Sequence, residues 1–366
     1  MVAEYIPPEK ISLSGSSREI GLEHGRRLAG KIRSQMQIYE SMFQHTSKLD
    51  WPSVRSIARE YASTIERLTP DLYEEMRGIA EGAGLVDVLD VVALNCRSEI
   101  ALGLFSDGCT SLGWRMRREG EGDVVLAQNW DWVESVKKNL VMMSIETGGL
   151  PKVFMVTEAG IIGKIGFNSS SVGVCLNAIR AKPADSSKIP VHLALRICLS
   201  SPSAADAVSK LESLGGVASS AHILIADPSG PKGLELSPLG NAYLDPDDRG
   251  MVFHTNHFLS NKYVRETGWL SGSSIRLARV EELAREMDEK GEKVDGEILR
   301  KSIFADGFNA PQAICAQEDE RLPVQSRVRT VFSIAMRLGE GSTPKGEVVW
   351  GRPGSGEEGP ILDMPW

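Results

Sequence analysis

The chain divides by the period of its apolar positions. Over residues 17–104 they recur at three- and four-residue spacing, with start signals such as Ser16-Ser17 and Thr69-Pro70-Asp71, and this predicts a helical layer. Within residues 72–82, Leu72, Met76, Ile79 and Ala80 share one face and a glycine closes the run, so this segment is expected to pack. Beyond Asp107-Gly108-Cys109 the pattern shortens to β-branched stretches bounded by Gly, Asn, Ser or Pro. Strands are expected over residues 123–128, 140–146, 152–156, 160–167 and 172–178. A helical interlude over 190–214 precedes strands at 221–226, 233–236 and 251–254. Helices near 273–289 and 295–304 and late strands at 329–337 and 347–350 complete the reading. Helices, sheets, helices and a last sheet make an α+β fold, antiparallel sheets packed face to face with helices outside. There is no internal repeat, and a Gly-rich stretch covers 351–359.

Composition narrows the classes. With 366 residues, 42% hydrophobic and 25% charged, the chain can bury a sizeable core as one large domain or two. A net charge of −8 argues against a nucleic-acid partner, which needs clustered Lys and Arg. The basic cluster Arg115-Met116-Arg117-Arg118 reads as a solvated hairpin. Five cysteines, odd in number and without a C-x-x-C pair, fit a reduced compartment and no zinc. His254 and His257 lack a third ligand pattern, so no metal is expected, and no glycine motif for a nucleotide is present. The start lacks a basic stretch leading into an apolar run, no run of about 18 apolar residues occurs, and Asp363-Met364-Pro365-Trp366 is no peroxisomal tail. The expectation is a soluble cytoplasmic protein with no membrane partner.

The candidate chemistry gathers at the helix-to-sheet boundary. Cys109 follows Gly108 and precedes Thr110-Ser111, and after a hairpin-length gap comes Gln128-Asn129-Trp130-Asp131-Trp132. A buried cysteine is ordinarily a small hydrophobe, so its context has to decide. Asp107-Gly108-Cys109-Thr110 followed by Gln128-Asn129-Trp130-Asp131, with His254-Thr255-Asn256-His257 downstream, resembles the acyl-CoA:6-aminopenicillanic acid acyltransferase (isopenicillin N acyltransferase) family of Ntn cysteine hydrolases. Glu19-Ile20-Gly21, His24-Gly25, Glu81-Gly82-Ala83-Gly84 and Ala93-Leu94-Asn95-Cys96-Arg97-Ser98-Glu99 extend the resemblance in the expected order.

The resemblance implies a four-layer αββα sandwich and autocatalytic scission of the Gly108–Cys109 bond. Residues 1–108 would then form one subunit and the catalytic segment 109–366 the other, together one compact unit. Cys109 would be the nucleophile. Asp131 would orient its new ammonium and thiol, Asn256 would donate to an oxyanion, and Asn177 matches a second oxyanion position of related amidases such as bile salt hydrolases. The family also has a late-strand arginine, which Arg327 or Arg329 would supply, with Arg329 preferred; the two share a strand face, so spacing does not separate them. The implied substrate is a small N-acyl amide or an acyl thioester, acyl-CoA among them, with no bound cofactor.

The residue types suit this chemistry independently. A thiol of pKa about 8.5 holds little thiolate at neutral pH, whereas an α-amine of about 7.7 to 8.0 is a base near working pH. Scission places both on one residue. Two other readings stand beside this one: a papain-like cysteine protease, with a catalytic histidine and a helix-opening cysteine, and an uncleaved scaffold or ligand-binding protein of the same fold.

Overall fold

The computed structural model describes residues 7–101, 108–116, 123–266, 272–292, 294–339 and 341–366. Asp107, Arg117 and Arg118 lie outside the described residues. The N-terminal part is β1 (Glu9–Ser14), α1 (Ser17–Thr46), α2 (Trp51–Leu68), α3 (Pro70–Gly82), α4 (Leu89–Asn95) and α5 (Arg97–Ala101). Then come β2 (Gly108–Arg115), β3 (Val124–Val133), β4 (Leu140–Glu146), β5 (Val153–Glu158), β6 (Ile165–Asn168), β7 (Gly173–Ala178) and β8 (Ala181–Lys182). Two helices, α6 (Val191–Leu199) and α7 (Ala204–Ser213), precede β9 (Ala221–Asp227), β10 (Gly230–Leu236), β11 (Ala242–Leu244), β12 (Met251–His254) and β13 (Arg265–Glu266). The last elements are α8 (Ser273–Lys290), α9 (Gly296–Leu299) with a π-helical extension to Phe304, β14 (Val328–Leu338), β15 (Lys345–Trp350) and β16 (Ile361–Met364).

The helix starts follow local chemistry. At α1, Ser16 and Glu19 form a reciprocal capping box, and at α2 the Asp50 side chain accepts from Ser53 N with a proline in the first turn. Gly291, at φ 70°, ends α8 in the left-handed conformation that glycine adopts without strain.

An eight-stranded sheet runs β1-β4-β5-β6-β7-β9-β10-β11 and a six-stranded sheet runs β12-β2-β3-β14-β15-β16. Helices α1, α6 and α7 cover the first, α8 and α9 cover the second, and β2 and β3 face β7 and β9 across the interior. This is the expected α+β sandwich of four layers. The central strands of both sheets are buried on both faces: all ten residues of β3 and all seven of β9 are buried. That removes the alternation of exposed polar residues that marks a half-buried strand.

The structure corrects several boundaries. β1 pairs with β4 in parallel, so the larger sheet is not wholly antiparallel, and neither β1 nor β16 was among the expected strands. Cys109 sits inside β2, and β3 runs past the expected end at 128 to Val133, so that it includes Asp131. The interlude over 190–214 is two helices, with Ser203 capping the second. Of residues 160–167 only the end is strand, because Gly160, at φ 90°, turns the chain. Among the described residues, no helix is long and apolar enough to cross a membrane.

Candidate active site

Strand alternation sorts the residues of β2 between two layers. Cys109 belongs to the core between the sheets, whereas Leu112 belongs to the cluster beneath α8. β2 pairs with β3 so that Gly108 faces Asp131, Cys109 faces Trp130 and Ser111 faces Gln128. The Gly108–Cys109 bond therefore opens a central strand inside the sandwich. Cys109 is 2% exposed.

Gly108 has a steric reason to be glycine. A Cβ there would lie 2.8 Å from Asp131 Oδ2, so the carboxylate packs directly on its Cα. The Thr330 hydroxyl donates to Asp131 Oδ1 at 2.6 Å and accepts from Ala316 N at 2.9 Å. A β-bulge between Thr330 and Phe332 shifts the register of β14 against β3 next to this contact.

Asn256 follows β12 in a buried loop whose backbone is held by its N–H donating to Ser273 Oγ at 2.8 Å. Its Oδ1 accepts from Cys109 N at 2.8 Å and from Arg276 Nη2 at 2.8 Å, and its Nδ2 donates to Ala178 O at 2.9 Å. Two donors on one atom require oxygen there, which fixes the orientation of the amide. Arg276, on α8 and 4% exposed, also donates from Nη1 to Cys109 O at 2.6 Å and to Thr110 Oγ1 at 3.1 Å. Both backbone polar atoms of Cys109 are thus held, one by Asn256 and the other by Arg276.

Arg276 was not among the expected residues. The arginine that contacts Cys109 comes from α8, not from the late strand. The Arg329 guanidinium pairs with Glu357 and lies 3.7 Å from Glu134, while Arg327 donates to the carbonyls of Leu322 and Glu320. Alternation along β14, which turns Thr330 to Asp131, turns Arg329 to the opposite face. Arg276 carried no sequence signal, being one of several arginines in an amphipathic helix.

Asn177 is likewise placed one step away. Its Oδ1 accepts from Ser111 Oγ at 2.7 Å and lies 3.1 Å from His222 Nδ1, and its Nδ2 reaches His254 O at 3.4 Å. His222 stacks on His254 at 3.5 Å between ring centroids, and His254 Nε2 lies 2.9 Å from Glu235 Oε1. The expected oxyanion donor thus braces the residue two positions after Cys109. His257 Nδ1 lies 2.7 Å from Ser273 Oγ, so the two histidines around Asn256 belong to hydrogen-bonded scaffolding.

A second group of charges lies behind Trp130. Glu158 Oε1 accepts from Lys164 Nζ at 2.5 Å and from Arg97 Nη2 at 3.0 Å, and its Oε2 accepts from Gln35 Nε2 at 2.5 Å and Tyr39 OH at 2.6 Å. Burial would raise the Glu158 carboxyl, but the Arg97 and Lys164 charges outweigh it and hold it at about 2. Arg97 also lines a cleft with Trp132, Leu176, Ala178, Ile179 and Ser219. Ala178, whose carbonyl takes the Asn256 amide, is one of the residues lining this cleft.

The chain matches the family model "Acyl-coenzyme A:6-aminopenicillanic acid acyl-transferase" over residues 117–337, downstream of Cys109. A search of solved structures gives penicillin V acylase from Agrobacterium tumefaciens, 14% identical at a TM-score of 0.39, covering 66% of this chain and 83% of that one. The 40 kDa form of acyl-coenzyme A:6-aminopenicillanic-acid-acyltransferase from Emericella nidulans is 35% identical over 353 residues, 95% of this chain and 94% of its own length. With one family model spanning more than half of the chain and a relative aligned along nearly all of it, this chain belongs to the acyl-coenzyme A:6-aminopenicillanic acid acyl-transferase family.

Proposed function

We propose that the chain matures by breaking its own Gly108–Cys109 bond and then moves the acyl group of a small N-acyl amide or acyl thioester through a thioester on Cys109. One observation carries this reading: a cysteine at the head of a central strand has its nitrogen on Asn256, its carbonyl on Arg276, and a carboxylate against the preceding glycine. Any buried residue needs partners for its backbone, but a packed structural thiol requires neither a buried guanidinium on its carbonyl nor a carboxylate against the preceding glycine.

In maturation the Cys109 sulfur attacks the Gly108 carbonyl carbon. The C–N bond breaks as the C–S bond forms, the nitrogen gains a proton, and water then cleaves the thioester. The freed α-amine remains on Asn256 Oδ1 and becomes the base for turnover. It takes the thiol proton, the thiolate adds to the substrate carbonyl, and the second proton of Asn256 Nδ2, beyond the one given to Ala178, serves the oxyanion. Collapse returns the proton to the leaving amine or thiol. Water or an amine resolves the thioester, which makes hydrolysis and transfer two outcomes of one intermediate.

Asp131, fixed by Thr330, orients the ammonium. The acyl group would approach Asn256 from the side of the cleft that Ala178 lines. The Emericella relative is named for acyl-coenzyme A and 6-aminopenicillanic acid, so acyl-CoA thioesters and amides of small β-lactam amines are the substrates to screen first. The papain-like reading finds no support, because Cys109 lies in a strand and does not open a helix.

The test is intact mass under denaturing conditions for wild type beside Cys109→Ala. Fragments 1–108 and 109–366 from wild type, with the variant whole, are expected. A whole wild-type chain that turns over amides sinks the mechanism.

A further inference from the structure

Until the Gly108–Cys109 bond is cut, the Cys109 nitrogen is an amide and offers no base. We infer that Lys164, in the charge cluster behind Trp130, is the positioning residue that holds the Cys109 sulfur as a thiolate for self-scission. The inference rests on the maturation reading above.

Cys109 and Trp130 are cross-strand partners and project from the same face into the core between the sheets. The Lys164 ammonium lies on the Trp130 ring, 4.2 Å from its centroid, and is completely buried. Its carboxylate partner Glu158 is shared with Arg97, whose guanidinium stacks on Trp132 at 4.8 Å. Two cations therefore share one carboxylate. The next carboxyl group, Glu99, is raised by burial toward its neutral form while it accepts from Val191 N and Ser219 Oγ. The cluster carries an excess positive charge in a low-dielectric site, and a thiolate at Cys109 balances it.

The neighbours agree. Burial first, then the Arg97 and Lys164 charges, press His192 well below its ordinary range, with Glu158 opposing. Lys164 is pulled down to about 8 by burial and by Arg97, against Glu158 and a Cys109 thiolate, both of which favour its charged form. Mutual attraction of that kind stabilises the thiolate equally. Of the other charged or titratable groups nearby, Cys175 from β7 is kept as a thiol by burial and then by the Cys109 charge, whereas Arg276 from α8 meets the Cys109 backbone and Asp131 from β3 lies against Gly108 on the opposite strand face. Ionisation sends the thiol proton to solvent. The thiolate forms the C–S bond to Gly108, the C–N bond breaks, and the departing nitrogen takes a proton from water, so charge and protons balance.

Lys164→Met removes one of the two cations and leaves Arg97 and Glu158 as a matched pair, so the variant should fold; Lys164→Gln is the second choice, and Lys164→Arg restores the charge. Uncut precursor, purified in denaturant and refolded, is followed by intact mass from pH 6 to pH 9. Lys164→Met should cut at least about tenfold more slowly than wild type at pH 6.5, a deficit of one thiol pKa unit, and approach wild type at pH 9, with Lys164→Arg close to wild type throughout. A variant that cuts at the wild-type rate, or is slowed by the same factor at every pH, overturns the role of Lys164 while leaving maturation intact. A wild-type chain that never cuts removes the maturation reading itself.

Discussion

The carbonyl oxygen of Cys109 receives the Arg276 guanidinium at 2.6 Å, which also places that charge close to the nitrogen that the proposed scission would free. A like charge disfavours the ammonium form, so in the proposed cleaved enzyme Arg276 is expected to lower the α-amine pKa and favour its basic form at neutral pH. Arg276→Met should move the acid limb of the kcat/KM profile of the cleaved enzyme upward by about one pH unit, leaving about tenfold lower activity below pH 7. An unchanged limb with uniformly reduced activity would mean that Arg276 only braces the loop. At this scale the sequence marked Cys109, Gly108, Asp131 and Asn256, because a short motif names each, and the fold gathers all four. It did not mark Arg276 or Lys164. An arginine on an amphipathic helix and a lysine in a loop become notable only when folding removes them from water and gives them partners.

Helices α1 and α3 meet backbone to backbone. A Cβ on Gly21 would lie 2.0 Å from Glu75 O, on Gly25 2.2 Å from Ile79 O, on Gly78 2.5 Å from Arg18 O, and on Gly82 2.1 Å from Leu22 O. Each helix thus presents two glycines one turn apart to the other. Glycine to alanine within an exposed helix ordinarily stabilises by about 0.5–1 kcal/mol, and Gly30 in α1, with nothing within 4 Å of a Cβ, should behave that way. Gly21→Ala and Gly78→Ala should instead cost about 3 kcal/mol, because backbone atoms cannot yield as a side chain can. Denaturant midpoints in a Cys109→Ala background, where the chain stays whole, would show the opposite signs within one helix. Equal effects at Gly21 and Gly30 would refute the close packing. The sequence reading took Gly82 only as a helix end, which it is, and gave no hint of its packing role. Secondary structure was legible where one face meets solvent, as in α3 and α8. It was least legible for β2 and β3, buried on both faces, and for β1, whose partner β4 lies far along the chain.

Over the whole molecule, three buried histidines that fold in their neutral forms contribute to the dependence of stability on pH. Burial lowers His24 to about 3 and His192 and His222 well below their ordinary range, aided by Arg196 at His24, by Arg97 and Lys164 at His192, and by His254 at His222. Below about pH 6.5 the unfolded chain binds these protons and the native chain does not, so stability is full above that pH and falls as pH drops toward 3. Each neutral histidine then loses about 2 kcal/mol of its contribution by pH 5, a large share of a total of about 5–15 kcal/mol. Denaturant midpoints should fall steeply between pH 7 and pH 5, and a flat profile would show that these rings are charged in the native state. The His24 bond has a further consequence, since its Nε2 accepts from Gly160 N at 2.9 Å across the Gly108–Cys109 division. So do Asn95 to Gly160 O and Ile162 N, Arg97 to Glu158, Glu75 to Arg196, and the whole β1–β4 pairing. Residues on both sides of the Gly108–Cys109 bond share one core, so cutting it would remove a covalent link but expose little apolar surface. After the proposed scission, segments 1–108 and 109–366 should therefore migrate as one particle in native size-exclusion chromatography at pH 7 and separate only in denaturant. Separation under native conditions would mean that the N-terminal helices are a removable cover, not half of the enzyme's core.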